Sequence, residues 1–105
     1  MTGQLIDGTN TATASTTDKE LYTNPGGAKH IYVTDIIISN SSATATEVEI
    51  KSGTTARLTY PAPADSGAIH TLKSPLRIAA NTALNFASLD SVSSVKVSFL
   101  GYVAA

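Results

Sequence analysis

Apolar residues recur along this chain at alternating spacing, in short runs separated by Gly, Pro, Asn and Ser. The longest run covers residues 29–40, dense in Ile, Val, Tyr and Thr. Branched and aromatic side chains of this kind pack well on a pleated surface. Ile31 and Val33 point one way; His30, Tyr32 and Thr34 point the other. Then the phase slips, because Ile36 and Ile38 fall on the opposite parity. Side chains of a strand alternate with period two, so the slip requires a β-bulge near Thr34 and Asp35, or burial of both faces beyond it. This run reads as the central strand of a sheet.

Further strands are expected at 19–23, 46–51, 55–60, 68–72, 76–79, 83–87 and 94–103. Asn24-Pro25-Gly26-Gly27 is a turn, since Pro fixes φ and Gly supplies positive φ. Val48 and Ile50 face inward on 46–51, which should pair with the central strand and form a hairpin with 55–60. Glu47, Glu49, Lys51 and Arg57 would share one solvated face. Pro61 and Pro63 cannot donate into a ladder, so residues 61–67 carry the chain between sheets. Leu84 and Phe86 point inward, as do Val95, Val97 and Phe99; Gly101 marks a bulge or a close backbone approach. No window shows helical periodicity.

Eight short strands with Pro/Gly turns predict an all-β fold: an eight-stranded antiparallel two-sheet sandwich of jelly-roll type. An immunoglobulin-like sandwich is the alternative, although its marker Cys and Trp are missing. Residues 18–105 form the single sandwich domain. Residues 1–17, polar and rich in Thr and Ala, read as an extended N-terminal arm. With little to bury on its own domain, the arm is expected against a neighbouring subunit; the alternative is an edge strand on its own sandwich.

Composition narrows the partners. The hydrophobic fraction is 42%, but 15 of those residues are Ala, so oligomerisation is a natural supplement to a thin core. Charged residues make up 14% against an average of roughly 25%. A net charge of −1 offers no basic stripe for nucleic acid and no electrostatic membrane anchor. No apolar run approaches the roughly 20 residues of a membrane helix. Without cysteine, neither a disulfide nor a thiolate metal site is possible. The first residues carry no secretory pattern, so folding in a cytoplasm is the expectation.

Candidate chemistry is sparse. His30 and His70 would need carboxylates such as Asp35, Asp65 or Asp90 to complete a metal site. Glu47 and Glu49 lie at i, i+2 on one strand face, a spacing open to glycosidase chemistry but more usual on a solvated face. No nucleophile elbow or phosphate loop occurs. Tyr22, Tyr32, Tyr60 and Tyr102 would form a sugar platform only if they gathered. Asn40-Ser41-Ser42 matches a glycosylation sequon formally. No residue is assigned to catalysis, cofactor or metal.

Residues 32–40, followed by a Thr/Ala loop and residues 48–55, resemble small virion proteins of tailed bacteriophages. The later runs 75–77 and 80–86, and the closing 97–102, extend the resemblance across 20–103. It implies a jelly-roll head decoration or other structural protein of the virion, made in the host cytoplasm. It also implies that the protein's partners are itself, often as a homotrimer, and capsid or other virion proteins; the lack of any catalytic signature gives the expectation that the protein is not an enzyme. A receptor- or glycan-binding module of a tail or fibre is the alternative.

Overall fold

The structure is a computed structural model and describes residues 4–12, 16–92 and 94–105. The regular elements of these residues are eight strands: β1 (Gln4–Ala12), β2 (Lys19–Tyr22), β3 (His30–Asn40), β4 (Thr46–Ser52), β5 (Thr55–Ala62), β6 (Ser66–Arg77), β7 (Leu84–Ser88) and β8 (Val95–Ala104). They form two four-stranded sheets, ordered β1-β8-β3-β6 and β2-β7-β4-β5. All observed pairings are antiparallel. β1 pairs β8, β2 pairs β7, β3 pairs β6 and β4 pairs β5, which is one long hairpin rolled into a sandwich around the turn at Gly53. That wrapping is the jelly roll the strand pattern predicts.

The core lies between the sheets. Ile31, Val33, Ile36, Ile38, Val95, Val97 and Phe99 of the first sheet are buried against Val48, Ile50, Leu84 and Phe86 of the second. Each such side chain contributes about 1.5–3 kcal/mol by leaving water. Asn40 ties the sheets at one end. Its buried side-chain amide donates to Thr44 O and Ala62 O, both at 2.9 Å, and its carbonyl oxygen accepts from Ser42 N–H at 2.9 Å. The sequon asparagine is thus committed to the fold.

The phase slip in the central strand is a bulge. The register of β3 shifts between Val33 and Asp35 against both β6 and β8. One extra residue, Thr34, restores inward parity for Ile36 and Ile38. Gly101 sits at this point. A Cβ there would lie 2.1 Å from Tyr32 O, so the close backbone approach admits glycine alone. On the other side, Leu76 pairs Val33 and Thr71 pairs Asp35, leaving 72–75 as an excursion opposite Thr34. The turn expected at Lys73-Ser74-Pro75 is this excursion, and the two strands expected at 68–72 and 76–79 are one.

Two further expectations are corrected. β4 does not pair with β3; it lies in the second sheet between β7 and β5. The connection from β3 to β4 crosses the sandwich, because both faces flanking β3 are taken by β6 and β8. The extended arm is also revised. Residues 1–3 and 13–15 fall outside the described residues, but Gln4–Ala12 is a strand of the same sandwich, in register with β8 from Gln4 against Val103 to Ala12 against Val95. Threonine's branched Cβ favours strands, so a Thr-rich polar stretch with Ile6 and Ala12 facing inward serves as a sheet edge.

Replacing Gly101 with Ala should destabilise the fold by about 3 kcal/mol, since the clash is with backbone and not a flexible side chain. Gly8→Ala, whose Cβ would lie 2.2 Å from Leu21 O, should cost a similar amount. Urea unfolding of the two variants beside the parent measures both.

Candidate assembly surface

The outer face of the first sheet carries apolar residues that the described residues leave exposed. Antiparallel register sets them in rows across the strands. One row runs Leu5, Tyr102, Tyr32, Arg77; the next Asp7, Leu100, Asp35, Thr71; the third Thr9, Ser98, Ile37, Ile69. Leu5 is 75% exposed, Ile69 71%, Leu100 47% and Ile37 37%. Leu5, Leu100 and Ile37 face out because each is sequence neighbour to one that faces in: Ile6, Phe99, Ile36 and Ile38 are buried.

Tyr32 and Tyr102 stack with centroids 4.9 Å apart and planes at 11°. His30 leans on Tyr32 at 6.2 Å, and its Nδ1–H donates to Ile78 O at 2.7 Å. Two of the four tyrosines that would serve a sugar only if gathered are therefore brought together. Beside the stack lies an open depression of about 430 Å³ lined by Leu5, Ile6, Asp7, Thr34, Asp35, Leu100, Gly101 and Tyr102. The Thr34 hydroxyl lies 2.9 Å from Asp35 Oδ2 and 3.0 Å from Leu100 O, which fixes the bulge at the edge of this depression.

The other candidates do not converge. His70 is on β6, stacked on Tyr60 at 3.9 Å, and its Nε2 is buried without a hydrogen-bond partner. Asp90 accepts from Thr46 Oγ1 at 3.0 Å, and Asp65 occupies a turn with φ 50°. Glu47 and Glu49 stand on β4 opposite Pro61 and Thr59 and share the outward face with Lys51 and Arg57, as expected, but no ion pair joins these four. Lys51 instead pairs with Asp18 at 2.8 Å, the only ion pair among the described residues, and Arg57 donates to Arg77 O at 3.1 Å. Among the described residues no three His, Asp or Glu gather as a metal site would require.

No family model matches the chain, and no curated protein matches it. Solved structures do. A subunit of Bacillus endospore appendages, a family of disulfide-linked pili, is similar with a TM-score of 0.58 and 15% identity, covering 99% of this chain and 90% of that chain. The extra small virus particle of the giant freshwater prawn Macrobrachium rosenbergii is a more distant likeness, with a TM-score of 0.39 and 7% identity over 100% of this chain and 81% of that one. The first likeness is one of fold. The second carries no argument.

Burial withdraws the Tyr60 hydroxyl from water and raises its pKa above the ordinary value of 10.0. The folded state then keeps a proton that the unfolded state has lost. Stability from this group is whole below pH 10 and falls as pH rises toward the folded pKa. In an alkaline titration followed by phenolate absorbance, one of the four tyrosines should ionise late. Tyr60→Phe should remove that late step and lessen the alkaline loss of stability.

Proposed function

We propose that this protein is a structural component of a bacteriophage virion, a head-associated or decoration protein that binds copies of itself and the shell. Its action is adhesive. The uncovered apolar face of Leu5, Leu100, Ile37 and Ile69 carries this reading, since exposed apolar surface of this kind marks contact with other protein. The low charged fraction supports it, because a charge-poor surface is cheap to desolvate. The pilus subunit offers a parallel for a polymer on this fold. That assembly is disulfide-linked, whereas these 105 residues contain no cysteine. Adhesion here would be non-covalent, strengthened by many weak contacts acting together. We propose no catalytic role.

A second reading, a glycan- or receptor-binding module, rests on the Tyr32–Tyr102 stack beside a depression holding Asp7 and Asp35. Carboxylates accept from sugar hydroxyls, and aromatic rings cover sugar faces.

Purified particles from the source should contain the protein in fixed ratio to the shell protein, by quantitative mass spectrometry. Ile69→Ser with Leu100→Ser should change folding stability by less than about 1 kcal/mol, because both are exposed, yet lower the copies retained per particle. Absence from particles would sink the proposal, and specific binding on a glycan array would favour the second reading.

A further inference from the structure

An open sandwich leaves four strand edges, and natural proteins blunt edges with charge, proline, shortness or bulges. Three edges of this fold are blunted. β2 is four residues long with a register shift between Glu20 and Tyr22. β5 carries Pro61 and a register shift beside Arg57. β6 is interrupted by the excursion at 72–75, which includes Lys73 and Pro75.

β1 has none of these devices. It runs nine residues, holds unbroken register with β8, and contains neither proline nor a basic residue; its single charge is Asp7. β2 touches it from beneath, where Asn10 Nδ2 donates to Glu20 O at 3.0 Å and Gly8 lies against Leu21 O. Leu5, Asp7, Thr9 and Thr11 are exposed above. Half of the backbone N–H and C=O groups of such an edge point away from the sheet; the Thr11 N–H is already bound to Asn10 Oδ1 at 2.8 Å, and only another strand satisfies the rest as a row.

We infer that β1 pairs antiparallel with β1 of a second copy, about a twofold axis through Gly8. This rests on the self-association proposed above and names its contact. Gly8 is the midpoint of Gln4–Ala12, so this register overlaps all nine residues. It sets Asp7 opposite Thr9 of the second copy, and Leu5 opposite Thr11. No like charges face one another; the Thr9 hydroxyl opposite Asp7 is engaged within its own subunit, donating to Val97 O at 3.2 Å and accepting from Ser98 Oγ at 2.9 Å, so backbone pairing carries the contact. The result is one eight-stranded sheet, β6-β3-β8-β1-β1-β8-β3-β6, with strand directions alternating throughout. A twofold contact needs one self-complementary patch, whereas a trimer needs two different patches that fit each other. The three blunted edges leave β1 without a second strand edge to match. One strand pair buries less than a standard interface, so the contact is weak in solution and depends on crowding at an assembly.

Sedimentation equilibrium of the full chain, from micromolar to about millimolar concentration, tests this. A monomer–dimer equilibrium is expected. Thr9→Asp should weaken it about tenfold or more, by facing Asp7 with a like charge at two places per dimer. Thr9→Lys should maintain or tighten it, and Asp7→Lys combined with Thr9→Asp should restore it. Both Thr9 variants lose the hydroxyl that donates to Val97 O at 3.2 Å and accepts from Ser98 Oγ at 2.9 Å, so their thermal unfolding should shift alike, while only Thr9→Asp weakens the dimer. A parent that stays monomeric, a trimer, or a dimer indifferent to Thr9→Asp overturns the edge contact. Recovery of a monomeric protein from particles would overturn this contact alone. A dimer sensitive to Thr9→Asp but absent from particles would overturn the virion assignment alone.

Discussion

One backbone contact governs the first sheet. β3 and β8 approach so closely at Tyr32 and Gly101 that no side chain fits between them, and the register breaks at the next residue. That break turns a strand with two conflicting halves into one with a single buried face. Without it, either Ile31 and Val33 or Ile36 and Ile38 would turn to water. At about 1.5–3 kcal/mol per side chain, that loss would rival the net stability of a domain this size. Thr34, the inserted residue, bridges Asp35 and the Leu100 carbonyl and so holds the bulge in place.

Much of this was legible beforehand. Parity along 29–40 requires a bulge near Thr34 and Asp35 or burial of both faces, and the register shift decides for the bulge; parity elsewhere marks Val48, Ile50, Leu84, Phe86 and Val97 as core. Alternation is a local property, and it read correctly wherever the determinant was local. Pairing is not local. Nothing within Thr46–Ser52 says that its neighbours are β5 and β7 and not β3. The pattern predicts eight strands with two compensating differences: it divides β6 at its excursion and reads β1 as an arm. Both arise where composition and conformation part company, with a proline inside a strand and a threonine-rich stretch inside a sheet.

The outer face was harder to see, although a signal existed. Ile36-Ile37-Ile38 and Phe99-Leu100 set large apolar residues side by side in strands, which forces one of each set outward. Read for the core, such runs look like surplus. Read for the surface, they indicate a sheet whose far side is also apolar. The Tyr32–Tyr102 pairing depends on β3 lying beside β8, a partnership across 70 residues of sequence separation that the residues themselves do not announce.

The rolled hairpin has a consequence for the life of the chain. β8 stands between β1 and β3, so β1 has nowhere to dock until β8 is in place. On the ribosome, β1 precedes the other seven strands of this sandwich yet is among the last of them to be paired. Until β8 emerges its nine residues wait unpaired. Their polar, threonine-rich character suits that interval, because an arm of large aliphatic residues waiting so long for its partner would seek out other nascent chains. The plainness of β1 reflects the time it spends alone.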